Sequence, residues 1–446
     1  GKWIISDEKF MKFAERWLSE LSIRGGWGVT GNQPGSEYLY YSRYNGNWGT
    51  GGNNYNGTAT IKPASLKLEN LKWERSSSYN LGFNLALLNN RIVADLNIYH
   101  RRTTDLLFAN QSIPSSTGFG SISYINAGTM DNDGWELNLY TNNLIKAGKW
   151  VIDFNGNLSN YNNIIKKLDS NVLASYNGDF DYNNGSYLSR VQEGNSFGSI
   201  YGFRYKGVYQ YDKYVEGRER TCPVARDAQG NVVKDSYGEA VPMYFAYATT
   251  NARQFRGGDA IYEDINHDGT IDELDIVYLG NCNPKINGGF GFTVKYNQRL
   301  SLNAFFNFRY GNKVINYARM YAENMYSNDN QSIAVNWRWR QDGDLTEIPR
   351  ALYQDGRNWL GSDRFVEDGS FLRFKQLTLN YNFDHKTLKP LGLNQLALSF
   401  TLNNILTWTK YTGVDPEISP NNQGICADYS KTPRSKYFTM GVTIGL

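Results

Sequence analysis

The chain has 446 residues, with 46 Lys and Arg against 43 Asp and Glu for a formal charge of +3, so it lacks the basic surplus and clustered cations of a nucleic-acid binder. Aromatic residues reach 15%, with 33 Tyr and 11 Trp beside 44 Gly and only 11 Pro, a mix that favours strands and long polar loops over a helical protein. No apolar run is long enough for a transmembrane helix, but the mean hydropathy of −0.56 leaves a membrane barrel open, because barrel strands meet lipid only at every second residue.

The start, Gly1-Lys2-Trp3-Ile4, has neither the charged nor the apolar region of a signal peptide. The expectation is a chain that begins partway through a longer protein, the alternative being a leader already removed. Residues 7–20 predict a short amphipathic helix or turn, after which period-2 alternation takes over. Tyr79, Leu81, Phe83 and Leu85 alternate with polar residues. Asn89-Asn90 then turns the chain into Ile92, Ala94, Leu96 and Ile98, a hairpin by pattern and by turn chemistry. The unit recurs at Trp135–Leu139 into Trp150–Leu158, at Phe290–Tyr296 through Asn297-Gln298 into Leu300–Phe308, and at Leu377–Phe383 into Leu396–Leu402. The last such strand carries Phe438, Met440, Val442, Ile444 and Leu446 on one face.

Twelve strands are predicted, near 21–29, 77–86, 92–103, 133–142, 150–160, 186–193, 197–209, 287–297, 299–310, 371–383, 394–406 and 435–446. Links after even-numbered strands are short (87–91, 143–149, 194–196, 298, 384–393). Those after odd-numbered strands are long (30–76, 104–132, 161–185, 210–286, 311–370, 407–434). Short turns on one side and long loops on the other describe an outer-membrane barrel with periplasmic turns and extracellular loops. A sheet in hydrocarbon must close so that every backbone N–H and C=O has a partner. Tyr79, Trp135, Trp150, Tyr296 and Tyr310 end apolar stripes, where interfacial aromatic girdles belong.

These segments also resemble the SusC-like (SusC/RagA-type) TonB-dependent transporters of the Bacteroidetes outer membrane. The resemblance is carried in order by GVTGNQ (28–33), LKWERSSSYNLGFNLALLNNRI (71–92), RRTTDLL (101–107), PSSTGF (114–119), NAGTMDNDGWEL (126–137), GDAIYEDINHDGTIDELD (258–275), GNCNPKINGGFG (280–291), YGNKVIN (310–316), IPRA (348–351), FVEDGSFLRFKQLTLNYNF (365–383) and NNILTWTKYTGVDPE (403–417). The resemblance implies an all-β, transmembrane antiparallel β-barrel, of which this chain supplies about twelve C-terminal strands out of about 22. Plug domain and early strands would precede it. Residues 1–446 would all belong to the barrel domain, with 210–286 and 311–370 as its long extracellular loops. Family members usually end in Phe, whereas this chain ends in Leu446, which reads as a tolerated variant.

The sharpest chemical motif is Asp264–Asp275, DINHDGTIDELD. Asp264, Asn266, Asp268, Thr270, Asp272 and Asp275 fall at positions 1, 3, 5, 7, 9 and 12 of a calcium loop, with Gly269 at position 6. Hard oxygen donors at this spacing can wrap one Ca²⁺, and without flanking helices the ion would be a structural clip. The alternative is an acidic loop rich in Asx turns that takes no metal. The Trp337-Arg338-Trp339-Arg340 run and the loop tyrosines Tyr38, Tyr40, Tyr41, Tyr317, Tyr321 and Tyr326 suit stacking on a glycan or peptide, or packing on a partner. Trp337, Trp339, Tyr317 and Tyr321 are the substrate candidates. His100, His267 and His385 show no ligand spacing, and no nucleophile elbow or phosphate cradle is present, so no catalytic residue and no enzyme is expected. Cys222, Cys282 and Cys426 form no CxxC motif; one disulfide is permitted, and its pairing stays open.

The expected function is TonB-dependent uptake of an oligosaccharide or peptide across the outer membrane. The expected partners are a SusD-like surface lipoprotein, the TonB complex reached through the missing N-terminal region, and outer-membrane lipid. A passive porin or structural barrel, and a soluble calcium-stabilised glycan-binding β-protein, are the competing readings.

Overall fold

The computed structural model describes residues 1–46, 61–182, 187–188, 190–246 and 253–445. Twelve strands make up the large antiparallel ladders: β1 Lys2–Ile4, β2 Leu18–Asn32, β3 Glu74–Leu87, β4 Ile92–Thr104, β5 Gly128–Thr141, β6 Ile145–Ala147, β7 Trp150–Leu168, β8 Ile286–Tyr296, β9 Leu300–Tyr310, β10 Phe371–Asn382, β11 Gln395–Thr409 and β12 Tyr437–Gly445. The chain divides into two compact units. One comprises 1–177, 191–197 and 290–298; the other comprises 178–190, 198–289 and 299–446.

In the first unit β1 to β5 and β7 pair in chain order as a meander, with β6 a short ribbon on β7. Registers place Ile23, Phe83, Leu96, Leu137 and Leu158 in one cross-strand row. One residue along, the row is Ser22, Asn84, Asp95, Asn138 and Asn157. The second unit repeats the pattern in β9 to β12. Leu300, Tyr381, Leu398 and Val442 share one row, and Ser301, Asn380, Ser399 and Gly441 the next. Because side chains alternate along a strand, each ladder has one apolar and one polar face. Leu81, Phe292, Leu302 and Leu398 are 42%, 43%, 38% and 42% exposed, so no core of described residues covers the apolar face.

The turns follow their residues. Leu88, Asn89 and Asn90 have φ of 55°, 57° and 62°, and Asn297 and Gln298 have φ of 50° and 57°, the left-handed values that a tight hairpin demands. On the polar face the Arg24 guanidinium donates to Asp95 at 2.8 Å and to Asn97 at 2.6 Å. Gly82 lies beneath it, where a Cβ would collide with the Arg24 side chain.

Residues 7–20 take the turn of the two alternatives: short 3-10 turns at Ile5–Asp7 and Lys9–Ala14 lead into β2, with Phe10 and Phe13 exposed. The expectation of two further ladder strands needs correction. The strands expected at 186–193 and 197–209 are absent from the large ladders. The first shows only an isolated bridge from Leu188 to Tyr201, with Ser186 and Ser189 outside the described residues. The second is two short strands, Ser199–Gly202 and Tyr205–Val208, paired with Val277–Asn281 and Ala260–Tyr262. Their alternation is that of a compact loop core, since Ile200, Tyr201 and Phe203 are all buried. Removing two adjacent strands leaves the alternation of short and long links intact. Leu446 also lies outside the described residues.

The buried cores sit in the connections between the long strands. In the second unit, Phe180, Phe203, Phe245, Phe255, Ile271 and Leu360 pack in one cluster; Ile200, Val314, Ile315 and Ile418 in another; Met320, Trp359 and Phe365 in a third. Ladders with a bare apolar face and loops with dry cores invert the usual soluble arrangement, in which apolar surface is driven inward from water.

Candidate functional site

The apolar face has a defined end. From the turn at Leu87 to Tyr79 it spans nine residues, about 26 Å along the strand and comparable with the apolar band of an outer-membrane barrel. Tyr79 then pairs with His100, and the same face becomes ionic. His100 lies 2.5 Å from Asp133, and Arg102 donates to both Asp131 oxygens at 2.7 and 2.8 Å. At the opposite end Trp150 and Tyr296 meet at 4.7 Å between ring centroids, beside the short turns. Aromatic rings at both limits and charge beyond one of them mark the two faces of a bilayer.

Of the substrate candidates, the structure brings Tyr317 and Tyr321 together on the short helix Tyr317–Glu323, stacked at 5.9 Å. Tyr429, which the sequence did not single out, completes the group. It lies 4.7 Å from Tyr317 with ring planes 7° apart and 6.4 Å from Tyr321. Tyr321 and Tyr429 are exposed, while Trp359 packs against the edge of Tyr321 from the buried side at 6.0 Å. The result is an open aromatic platform on a rigid base. Trp337 is exposed too, but lines a separate cavity of about 950 Å³ with Arg220, Arg319, Glu323, Glu347 and Arg364. Trp339 is half-buried and held in place: its indole N–H donates to the Gln210 carbonyl at 3.1 Å, and its ring covers Gly258, whose φ of +84° and missing Cβ admit it.

Ion pairs fix the loops around these rings. Glu323 accepts from Arg319 at 3.0 Å and from Arg364 at 2.9 Å. Buried Asp259 accepts from Arg350 at 2.6 and 3.2 Å and from Asn358 at 3.1 Å, partners 91 and 99 residues away in sequence that only the fold brings to it. Burial pushes the Tyr205 hydroxyl up to about 12; it is a neutral donor to the Glu347 carbonyl at 2.6 Å.

The acidic loop is knit by its own backbone. Asp264 accepts from Gly269 N–H at 2.9 Å, Asn266 from Asp268 at 3.2 Å, Asp268 from Thr270 at 2.8 Å and Asp272 from Leu274 at 2.8 Å. Gly269 has the φ of +80° that the sharp turn needs. Asp275 spends both oxygens on the N–H groups of Ile265 and Asp272, and burial pushes its carboxyl up to about 6. Among the described residues no three His, Cys, Asp or Glu side chains gather as a metal set. One oxygen, Asp264 Oδ1, is buried without a partner, and burial raises that carboxyl. The turn therefore suits a cation while Asp275 is committed elsewhere, a partial fit.

The ladders, the bare apolar face bounded by aromatic rings, and the alternating link lengths define an outer-membrane β-barrel portion. The family profile described as TonB dependent receptor-like, beta-barrel, matches residues 12–238. The chain belongs to that family. It is 29% identical over 432 residues to TonB-dependent receptor P39 of Formosa agariphila, covering 93% of this chain and 39% of that protein. To TonB-dependent receptor SusC of Bacteroides thetaiotaomicron it is 26% identical over 461 residues, covering 99% and 39%. In fold it is similar to a chain of the RagAB peptide transporter, with a TM-score of 0.72, 23% identity, and coverage of 100% of this chain and 43% of that one. The chain thus spans about two fifths of the length of the curated relatives it matches. It is an outer-membrane, SusC-like barrel segment.

Proposed function

We propose that the protein to which this chain belongs is an active importer, drawing oligosaccharides or peptides through the outer membrane with energy from the TonB complex and receiving them from a SusD-like surface lipoprotein. The observation that carries this reading is the contrast between the two kinds of connection. Hairpin turns such as 88–91 and 297–299 are short, while the described residues of 169–285, 311–370 and 410–436 supply cores braced by buried ion pairs. Loops that carry their own cores are built to hold a shape, as a docking platform for a lid and a cargo must be. The Tyr317–Tyr321–Tyr429 platform, with Trp337 on its neighbouring cavity, is the proposed cargo contact in this segment. Aromatic faces stack on sugar rings and on peptide side chains alike. No bond of the cargo is broken; the work is binding, gating and release.

Calcium belongs to the same proposal as a structural clip, with Asp264, Asn266, Asp268, Thr270 and Asp272 as its oxygen set, the orphaned Asp264 oxygen as its first donor, and Asp275 bracing the loop through its backbone hydrogen bonds. A passive porin would make the same ladders, so energy dependence separates the two. Uptake by cells expressing the whole protein is expected to stop when TonB is deleted, and a surface lipoprotein is expected to copurify. Uptake that persists without TonB, or purification without any lipoprotein, rejects the importer reading.

A further inference from the structure

Cys282 and Cys426 stand far apart in the chain, yet the structure brings them into contact. The Cys426 N–H donates to Cys282 Sγ at 3.0 Å, while the Cys426 thiol itself donates to the Ile418 carbonyl at 3.7 Å. Both side chains are buried, at 4% and 3% exposure, among Ile200, Val314, Ile315, Val366, Tyr411 and Ile418. Their backbones are fixed independently of the sulfurs: Cys282 N–H donates to the Gly198 carbonyl and Ile315 N–H to the Cys426 carbonyl, each at 2.9 Å. An amide nitrogen 3.0 Å from the sulfur brings the Cys426 Cα within about 4.5 Å of Cys282 Sγ, a separation compatible with a disulfide after one change of rotamer.

We propose that Cys282 and Cys426 are oxidised to a disulfide when the protein folds, stapling the end of the strand Val277–Asn281 to the start of the strand Ala427–Asp428. The proposal rests on the outer-membrane location, which exposes the folding chain to an oxidising compartment, and not on the nature of the cargo. The third cysteine has no such neighbour in its hydrogen bonding: the buried Cys222 thiol donates to the Lys213 carbonyl at 3.1 Å.

The oxidant is a protein disulfide of the periplasm. The Cys426 thiol gives up its proton and its sulfur attacks that disulfide, forming a mixed disulfide and releasing one donor thiol. Cys282 loses its proton and displaces the second donor sulfur, which leaves as the other thiol. One S–S bond forms in this chain and one is broken in the donor, two electrons pass to the donor, and its two sulfurs take up the two protons. The order of the two sulfurs is interchangeable, because exchange takes place before the two cysteines meet in the closed core. Exchange must precede closure of the core, since no donor reaches sulfurs this deeply buried. A staple across 144 residues constrains the unfolded chain strongly, and a buried bond resists later reduction.

The test is a thiol map of the whole protein taken from the outer membrane, with free thiols trapped by N-ethylmaleimide in denaturant at lysis and without reductant. Trypsin gives peptides 257–285 and 411–431, containing Cys282 and Cys426. The expected result is that these two run as one cross-linked species two hydrogens lighter than their sum, that Cys222 carries the trap, and that prior reduction frees both peptides for labelling. In a Cys426→Ser protein, Cys282 is expected to label without reduction. Full labelling of Cys282 and Cys426 in the unreduced wild type, or either of them linked to Cys222, overturns the assignment.

Discussion

Arg373 Nη2 lies 2.5 Å from Asp415 Oδ1, with the arginine only 3% exposed, and that pair ties the polar side of β10 to the Gly413–Pro416 turn of the following connection. Glu417 stands 3.7 Å from the same guanidinium and is itself held by Arg434 at 2.8 Å. Removing one partner of such a pair leaves a buried charge uncompensated. Asp415→Ala is expected to cost about 3 kcal/mol, read as a lower unfolding temperature of the detergent-solubilised protein. Pairing Asp415→Leu with Arg373→Met is expected to recover most of the loss. An Asp415→Ala protein that melts with the wild type would show the pair to be idle.

The same carboxylate sets a pH dependence. Burial raises Asp415, but the Glu417 N–H, the Arg373 guanidinium and the Arg434 N–H outweigh it and hold the carboxyl below its ordinary value. A carboxylate depressed in the folded state contributes stability that is present above its unfolded pKa of about 4 and lost as pH falls through the lower folded value. Melting temperature is therefore expected to fall with acidification below about pH 4, and to fall less in Asp415→Asn, which has no charge left to lose. Parallel curves for the two proteins would argue against it.

The membrane ladders were legible because lipid and lumen impose a period of two, which Tyr79–Leu85 satisfies in full and Ile92–Ile98 breaks only at Val93. The loop cores were not, because Ile200, Tyr201 and Phe203 are enclosed from every side, so their spacing imitates a strand without belonging to the ladders. The acidic loop was visible as a spacing, and its turn formed as expected, yet the commitment of Asp275 to backbone N–H groups depends on a local fold that spacing cannot show. Tyr429 escaped notice for a different reason: it is 108 residues beyond Tyr321, and only the packing of two connections stacks them. Asp259, Arg350 and Asn358 were hidden in the same way.

Outward and inward positions on β11 should respond oppositely to charge. Leu398 shares its row with Tyr381 and Val442 on the apolar face, and Ser399 points to the other side beside Asn380 and Gly441. Leu398→Arg is expected to destabilise the membrane-inserted barrel by about 2–4 kcal/mol, seen as reduced assembly and lost resistance to unfolding in SDS. Ser399→Lys is expected to assemble at near wild-type levels. Equal defects would mean that both faces are enclosed in protein, contrary to the bare apolar face.

The two kinds of loop aromatic should also separate. Tyr321→Ala removes an exposed ring from the platform and is expected to weaken cargo binding about fivefold, the value of one stacking contact of about 1 kcal/mol, without changing the melting temperature. Trp339→Ala removes a packed ring and its bond to Gln210, so it is expected to lower stability by about 2 kcal/mol. Binding titrations with candidate oligosaccharides and peptides, run beside thermal melts, read both effects. A Tyr321→Ala protein that binds every ligand as tightly as the wild type removes the platform from the cargo path.

The acidic loop allows metal and backbone contributions to be told apart by two substitutions. Asp264→Asn keeps an oxygen that can accept from Gly269 N–H, so the turn should survive while the charge facing the cation is lost. Gly269→Val forces a branched side chain into φ of +80° with its Cβ about 2.9 Å from that of Ala225, so the turn itself should fail whether or not metal is present. Calorimetric titration of the intact protein with Ca²⁺ is expected to give a binding isotherm for the wild type and one weakened at least about tenfold for Asp264→Asn, because one of the few hard anionic donors has gone. Melting temperature should rise with Ca²⁺ in the wild type alone, since a ligand that binds only the folded loop stabilises it by mass action. If the wild type gives no heat and chelation leaves its melting unchanged, the loop is held by its own hydrogen bonds, and the unpartnered Asp264 oxygen faces no ion.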